Sequence, residues 1–195
     1  ERSIVSSKTF RYEIVESSLK PTRILFVLHG YGQLAKYFIR KFTEVSDDFL
    51  IVAPEGMHRF YLDGTSGRVG ASWMTKEDRE TDIADYVHYL NALSAHLNLR
   101  DRSPVLLGFS QGVATASRWV ESGKQSFERL ILWAGVFPPD FEWTTGRAHL
   151  SHLPVDLALG DDDPFFKDEL LTDTATILND KRVAYNLHRF QGGHV

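Results

Sequence analysis

Short, almost unbroken apolar runs recur along the chain at Ile24 to Leu28, Phe49 to Ala53, Val105 to Phe109, Leu130 to Trp133 and Val155 to Leu159. Their length and branched content predict parallel strands, because a strand covered on both faces has no solvent side to carry polar residues. Helical patterns lie between them. Ile83, Val87, Leu90, Leu93 and Leu97 fall on one face at steps of three and four, with Thr81 or Asp82 as the expected cap. A second helix is predicted from Gln111 to about Ser122 with Val113, Ala116 and Val120 inward, and a third after Pro164 with Phe166, Leu170 and Ile177 inward. Strands alternating with helices imply βαβ units and an α/β fold with a mostly parallel central sheet, flanked by helices on both faces.

Phe10 to Val15 alternates apolar and polar positions, which suits a half-exposed edge strand, and Val183 to Phe190 suits a late strand near the end. An antiparallel edge therefore fits beside the parallel strands. From Glu55 to Thr75 the chain carries Gly56, Gly64, Gly67 and Gly70 and shows neither period. It is predicted as a long loop, a length seldom kept without a function.

Composition narrows the class. With 195 residues, 43% of them hydrophobic and 25% charged, the chain is expected to form one domain over residues 1–195 with a sizeable core. The net charge is -4 and the basic residues are scattered, so neither nucleic acid nor an anionic membrane is an expected partner. The absence of cysteine removes disulfides, thiolate metal sites and a thiol nucleophile. No apolar run approaches the roughly 20 residues that cross a bilayer, and no secretory segment opens the chain. The expected location is the cytoplasm, although Glu1 is not an initiator Met and leaves room for a leader removed upstream.

Candidate chemistry centres on Gly108-Phe109-Ser110-Gln111-Gly112, a G-x-S-x-G motif set between a predicted strand and a predicted helix. In the α/β-hydrolase fold that setting forms a tight turn presenting the serine above the sheet, and it makes Ser110 the expected nucleophile. His29-Gly30-Tyr31-Gly32 follows the early strand, where this fold completes an oxyanion hole, so the Tyr31 and Gln111 backbone N-H groups are the expected donors.

A serine nucleophile needs a base, and the fold's order of serine, acid, histidine places it after the last strand. His194 in Gly192-Gly193-His194 meets that condition, with His149 and His152 as rivals. His29 comes too early, His88 and His96 lie on a helix, and His188 lies in a strand. The acid is sought where Val155 to Leu159 runs into Gly160-Asp161-Asp162-Asp163-Pro164. Asp163 is the choice over its two neighbours, against a competing role in starting the next helix. Phe60, Tyr61 and Trp73 in the long loop are candidates to line an acyl pocket, Phe60 and Trp73 foremost, while Arg59, Arg68 and Trp73 serve equally well as loop anchors.

Taken together, Leu28-His29-Gly30-Tyr31-Gly32, Ala53-Pro54-Glu55-Gly56, Gly108-Phe109-Ser110-Gln111-Gly112, Gly160-Asp161-Asp162-Asp163-Pro164 and Gly193-His194 resemble the phospholipase/carboxylesterase family of small α/β-hydrolases over nearly the whole chain. That family includes acyl-protein thioesterases, lysophospholipases and bacterial carboxylesterases. The resemblance implies a Ser110, Asp163, His194 triad, oxyanion donors at Tyr31 and Gln111, and hydrolysis of small acyl esters or thioesters through an acyl-enzyme. No cofactor and no metal are expected, and the oligomeric state is left open. The chain departs from the family at Gln33, where many members carry an acid, and at Phe165-Phe166-Lys167, where they carry an aliphatic run. The family also continues past this histidine into a helix, whereas Val195 follows it here, so the expected domain lacks that helix. Alternatives on the same fold are a serine peptidase, a dienelactone-type hydrolase or a catalytically silent binding protein.

Overall fold

A computed structural model describes residues 2–99, 101–165 and 168–195. Its centre is a seven-stranded sheet in the order β1-β3-β2-β6-β7-β8-β9, formed by β1 (Tyr12–Val15), β2 (Arg23–Leu28), β3 (Phe49–Pro54), β6 (Val105–Phe109), β7 (Arg129–Trp133), β8 (Val155–Gly160) and β9 (Tyr185–Phe190). Every pairing is parallel except that of β1 with β3, so the half-exposed N-terminal segment is the antiparallel edge.

Most of the apolar runs are buried on both faces, which is why they lack alternation, while β7 buries Leu130 and Leu132 and leaves Ile131 and Trp133 half-buried. From β2, Ile24, Phe26 and Leu28 enter one core layer, while Leu25 and Val27 enter the other. On the first face lie α2 (Arg79–His96) and α3 (Gln111–Glu121), whose Tyr86, Leu90, Leu93, Val113, Ala116, Trp119 and Val120 join that core. α3 buries Val113, Ala116 and Val120 as its period predicts. On the second face, α1 (Ala35–Phe38) and the 3-10 helix Ile39–Val45 pack Ala35, Phe38, Ile39 and Phe42 against β2, β3 and β6. The remaining helices are α4 (Trp143–Leu150) and α5 (Asp168–Asp180). No described helix is long and apolar enough to cross a membrane.

Three local expectations are corrected. α2 is preceded by Asp78 rather than capped by Thr81 or Asp82. The Asp82 carboxylate instead accepts from His58 Nε2 at 3.0 Å and from the Thr75 amide at 3.3 Å, which ties the preceding segment to the helix. In α5 the inward residues are Thr174 and Leu178, while Leu170 and Ile177 are exposed. The buried pair is one turn apart at i and i+4, so the helix is rotated about its axis relative to the predicted face. Phe166 lies outside the described residues. Finally, Glu55 to Thr75 is not a plain loop. It holds the hairpin β4 (His58–Tyr61) and β5 (Val69–Ser72).

Candidate active site

The turn between β6 and α3 carries Ser110 at φ 53°, ψ −117°, a left-handed backbone that non-glycine residues rarely adopt and that marks strained functional positions. Two hydrogen bonds hold it: the Ser110 amide donates to Trp133 O at 3.0 Å, and the Val113 amide to Ser110 O at 2.9 Å. Gly112 is required here by close approach, since a β-carbon on it would lie 2.2 Å from Leu28 O. Helix α3 therefore starts in contact with the end of β2.

The loops after β8 and β9 bring the other two residues in. His194 Nε2 lies 2.8 Å from Ser110 Oγ, and His194 Nδ1 lies 2.7 Å from Asp163 Oδ2. Gly160 makes this meeting of loops possible, because a β-carbon there would sit 2.3 Å from Gly192 O. The Asp162 amide donates to Gly192 O at 3.0 Å and the Asp161 amide to Phe190 O at 2.9 Å, fixing the two loops to each other.

Geometry separates the three aspartates. The Asp163 side chain is wholly buried, and its second oxygen accepts the Phe165 amide at 3.0 Å, so it both faces the imidazole and holds the start of the following turn. Asp161 is turned to solvent, paired with Arg189 at 2.6 Å and Gln191 at 2.5 Å. His149 and His152 line a recess with Gly123 and Gln125, at the end of α3 farthest from Ser110. His188 pairs with Asp156 at 2.9 Å.

Beside the serine, among the described residues, neither the Tyr31 nor the Gln111 backbone N-H donates to an acceptor within the chain. The loop carrying Tyr31 is nonetheless rigidly held. The Gly32 amide donates to Ala71 O at 2.9 Å, the Ala71 amide to Gln33 O at 3.0 Å, and the Gly30 amide to Gln33 Oε1 at 2.9 Å. Gln33, noted in the sequence only as a departure, thus folds its side chain back to shape the turn. Gln111 does similar work on the other side: its carboxamide accepts from the Trp73 amide at 3.0 Å and donates to Met74 O at 2.9 Å. Nothing in the sequence pattern marks these two amides, because their partners are 3 and about 40 positions away.

His29 supplies a further pin. The Gly56 amide donates to its Nε2 at 2.9 Å, which makes that nitrogen the acceptor and leaves Nδ1-H to donate to Gly30 O at 2.8 Å. Burial holds the imidazole pKa below its ordinary 6.5, since a charged ring would be desolvated and would also lose the Gly56 bond. In the unfolded chain the ring titrates normally and takes up the extra proton. This contribution to stability is therefore complete above pH 6.5, begins to fade below that value and is lost as pH falls through the lower pKa of the folded state. Thermal denaturation between pH 7 and 5 checks it: the wild-type melting temperature should fall more steeply than that of His29→Gln, whose carboxamide keeps both partners without titrating. Parallel slopes in the two proteins would refute the assignment.

Of the pocket candidates, Phe60 packs on Tyr31 with ring centroids 5.1 Å apart, near the site. Trp73 does not line a cleft. It is wholly buried, and its indole N-H donates to His29 O at 2.9 Å, so it belongs to the anchoring reading, as does Arg59 with its ion pair to Glu55 at 3.2 Å. What does line the space at the serine is Phe165, an exposed ring 4.8 Å from the His194 ring. With Ser110, Ala134, Gly135 and His194 it encloses an open recess of about 240 Å³. Among the described residues no group of three His, Asp or Glu side chains is placed to hold a metal ion.

Residues 11–195 match the model of a family described as Phospholipase/Carboxylesterase. Solved structures with the same fold include esterase PE8 (24% identity, TM-score 0.73, covering 96% of this chain and 92% of that one). A carboxylesterase from Mesorhizobium loti gives 15% identity and TM-score 0.71, covering 95% of this chain and 88% of that one. The Bacillus cereus carboxylesterase gives 14% identity and TM-score 0.66, covering 95% and 87%. No curated protein matches the sequence.

Proposed function

The chain belongs to the phospholipase/carboxylesterase family, and from that premise we propose that it is a serine hydrolase cleaving carboxylic esters or thioesters through an acyl-enzyme. The observation carrying this reading is the continuous relay from Ser110 Oγ through both imidazole nitrogens of His194 to the buried Asp163, at 2.8 Å and 2.7 Å. A buried carboxylate accepting Nδ1-H leaves Nε2 as the lone-pair nitrogen, which is what a general base for the serine hydroxyl requires.

The mechanism begins as Ser110 Oγ attacks the acyl carbon and its proton passes to His194 Nε2. The carbonyl oxygen becomes an anion received by the unpartnered Tyr31 and Gln111 amides, donors that need no reorganisation when the charge appears. Collapse expels the alcohol or thiol, which takes the proton from Nε2 and leaves the acyl group on Oγ. Water, deprotonated by the same nitrogen, then attacks the acyl carbon. Release of the carboxylic acid restores the serine.

A fluorophosphonate probe and a p-nitrophenyl ester series together test the reading. Wild-type protein should gain a single phosphonyl adduct, mapping by peptide mass to Ser110, and lose ester turnover in proportion to labelling. Turnover that persists in fully labelled protein, or an adduct elsewhere, would remove Ser110 from the chemistry.

A further inference from the structure

Alongside the Ser110 recess lies a larger cleft of about 600 Å³, between the α1 segment and the β4-β5 hairpin. Its volume falls in the range of ligand sites, about 300–1,000 Å³, whereas the open recess at the serine, about 240 Å³, falls below it. Leu34 and Phe38 form a buried apolar floor with Val69 beside them, and Lys36, Lys41 and Arg68 stand at the rim. No acidic side chain is among the described residues that line it. Arg68 has a loose, exposed partner in Asp63 at 3.5 Å. Among the described residues, Lys36 and Lys41 pair with no carboxylate and lie instead over the rings of Tyr37 and Trp133, at 4.7 and 5.8 Å.

The cleft and the serine are linked through the turn after β2 and through Phe38. A β-carbon on Gly30 would lie 3.1 Å from Ser110 Cβ, and Gly32, which lines the cleft, is two residues on, at most about 7 Å of chain. The floor residue Phe38 meets Phe109, the neighbour of Ser110, with ring centroids 5.8 Å apart. An apolar trough whose lining begins two residues after Gly30 and whose rim carries Lys36 and Lys41 without carboxylate partners, in a chain of net charge -4, is complementary to a hydrocarbon segment that terminates in an anion.

We propose that this cleft is a specificity subsite for a carboxylate or phosphate carried at the far end of the substrate's acyl or alcohol part. The proposal rests on the ester-hydrolase reading for its chemistry, while the cleft itself is testable without turnover. Because the cations contact a remote group that does not change during reaction, their effect belongs in KM and not in kcat.

Two matched substrate pairs separate the sources of the anion: p-nitrophenyl hydrogen suberate against p-nitrophenyl octanoate for the acyl side, and acetoxyhexyl phosphate against acetoxyhexanol for the alcohol side. One anionic member should exceed its neutral partner about tenfold in kcat/KM, as two or three exposed charge contacts allow. That advantage should fall to less than about twofold in Lys36→Ala/Lys41→Ala and at about 0.5 M salt, with turnover of the neutral esters unchanged. Calorimetric binding of hexyl phosphate should weaken by a similar factor in the double variant. Equal use of both members of both pairs, or a preference that survives the lysine replacements, would overturn the subsite. If no ester is hydrolysed at all, the hydrolase reading fails on its own, and lysine-dependent binding of hexyl phosphate still decides the cleft.

Discussion

Ser110→Ala is expected to lower kcat for p-nitrophenyl butyrate by about 10⁴-fold or more, with a residue of activity over water from the oxyanion donors and substrate binding alone. The removed oxygen is the atom 2.8 Å from His194 Nε2, and among the described residues no other hydroxyl hydrogen-bonds to that imidazole. Since nucleophile and base act as one unit, His194→Ala should fall nearly as far, and the double variant hardly further. Steady-state kinetics on all three proteins, with phosphonate titration to exclude contaminating wild type, makes the test. Losses that multiply in the double variant would mean that the two residues act independently, against the proposed relay.

Asp163→Asn should cost about 10⁴-fold in kcat while leaving the fold intact. The reason lies in which Asp163 oxygen does what. Oδ1 accepts the Phe165 amide and Oδ2 faces His194 Nδ1. An asparagine keeping the first bond must direct its carbonyl oxygen to Phe165 and its NH2 to the imidazole. Nδ1 is then forced to accept, Nε2 carries the proton, and the ring can no longer take one from Ser110. Asp161→Asn and Asp162→Asn, whose exposed side chains make no hydrogen bond to the imidazole among the described residues, should each change kcat by less than about threefold. Comparable losses at all three positions would indicate a general effect of charge and not the proposed tautomer control.

The parallel strands and the Ser110 turn were legible in the sequence because both depend on local pattern: continuous apolar runs in one case, glycines flanking a serine between strand and helix in the other. The β4-β5 hairpin was not, for a physical reason. Its strands are four residues each, the half-buried and exposed positions of β4 are not matched by apolar and polar residues in His58-Arg59-Phe60-Tyr61, β5 is mostly buried, and one partner of the bridge that anchors the hairpin is Gln33, nearly 40 positions earlier. The same holds for Gln111, whose side chain reads as an ordinary first-turn residue until the fold brings Ser72 to Met74 against it. Trp73 stood open between two readings. An aromatic in a long loop suits an acyl pocket as readily as an anchor, but its N-H had a carbonyl partner inside the protein, and burial followed. For α5 the apolar residues outnumber those needed for one stripe, so the period alone did not fix the phase.

The backbone of Ser110 also sets a limit on how stable this chain can become. A non-glycine residue held at φ 53°, ψ −117° costs on the order of 1–3 kcal/mol, set against a total stability of about 5–15 kcal/mol for a domain. Glycine would occupy the same turn without that strain and without a hydroxyl. Selection for thermal robustness alone would therefore drift towards glycine at position 110 and yield a sturdier, inert protein. At this one position, keeping the serine means accepting a less stable fold.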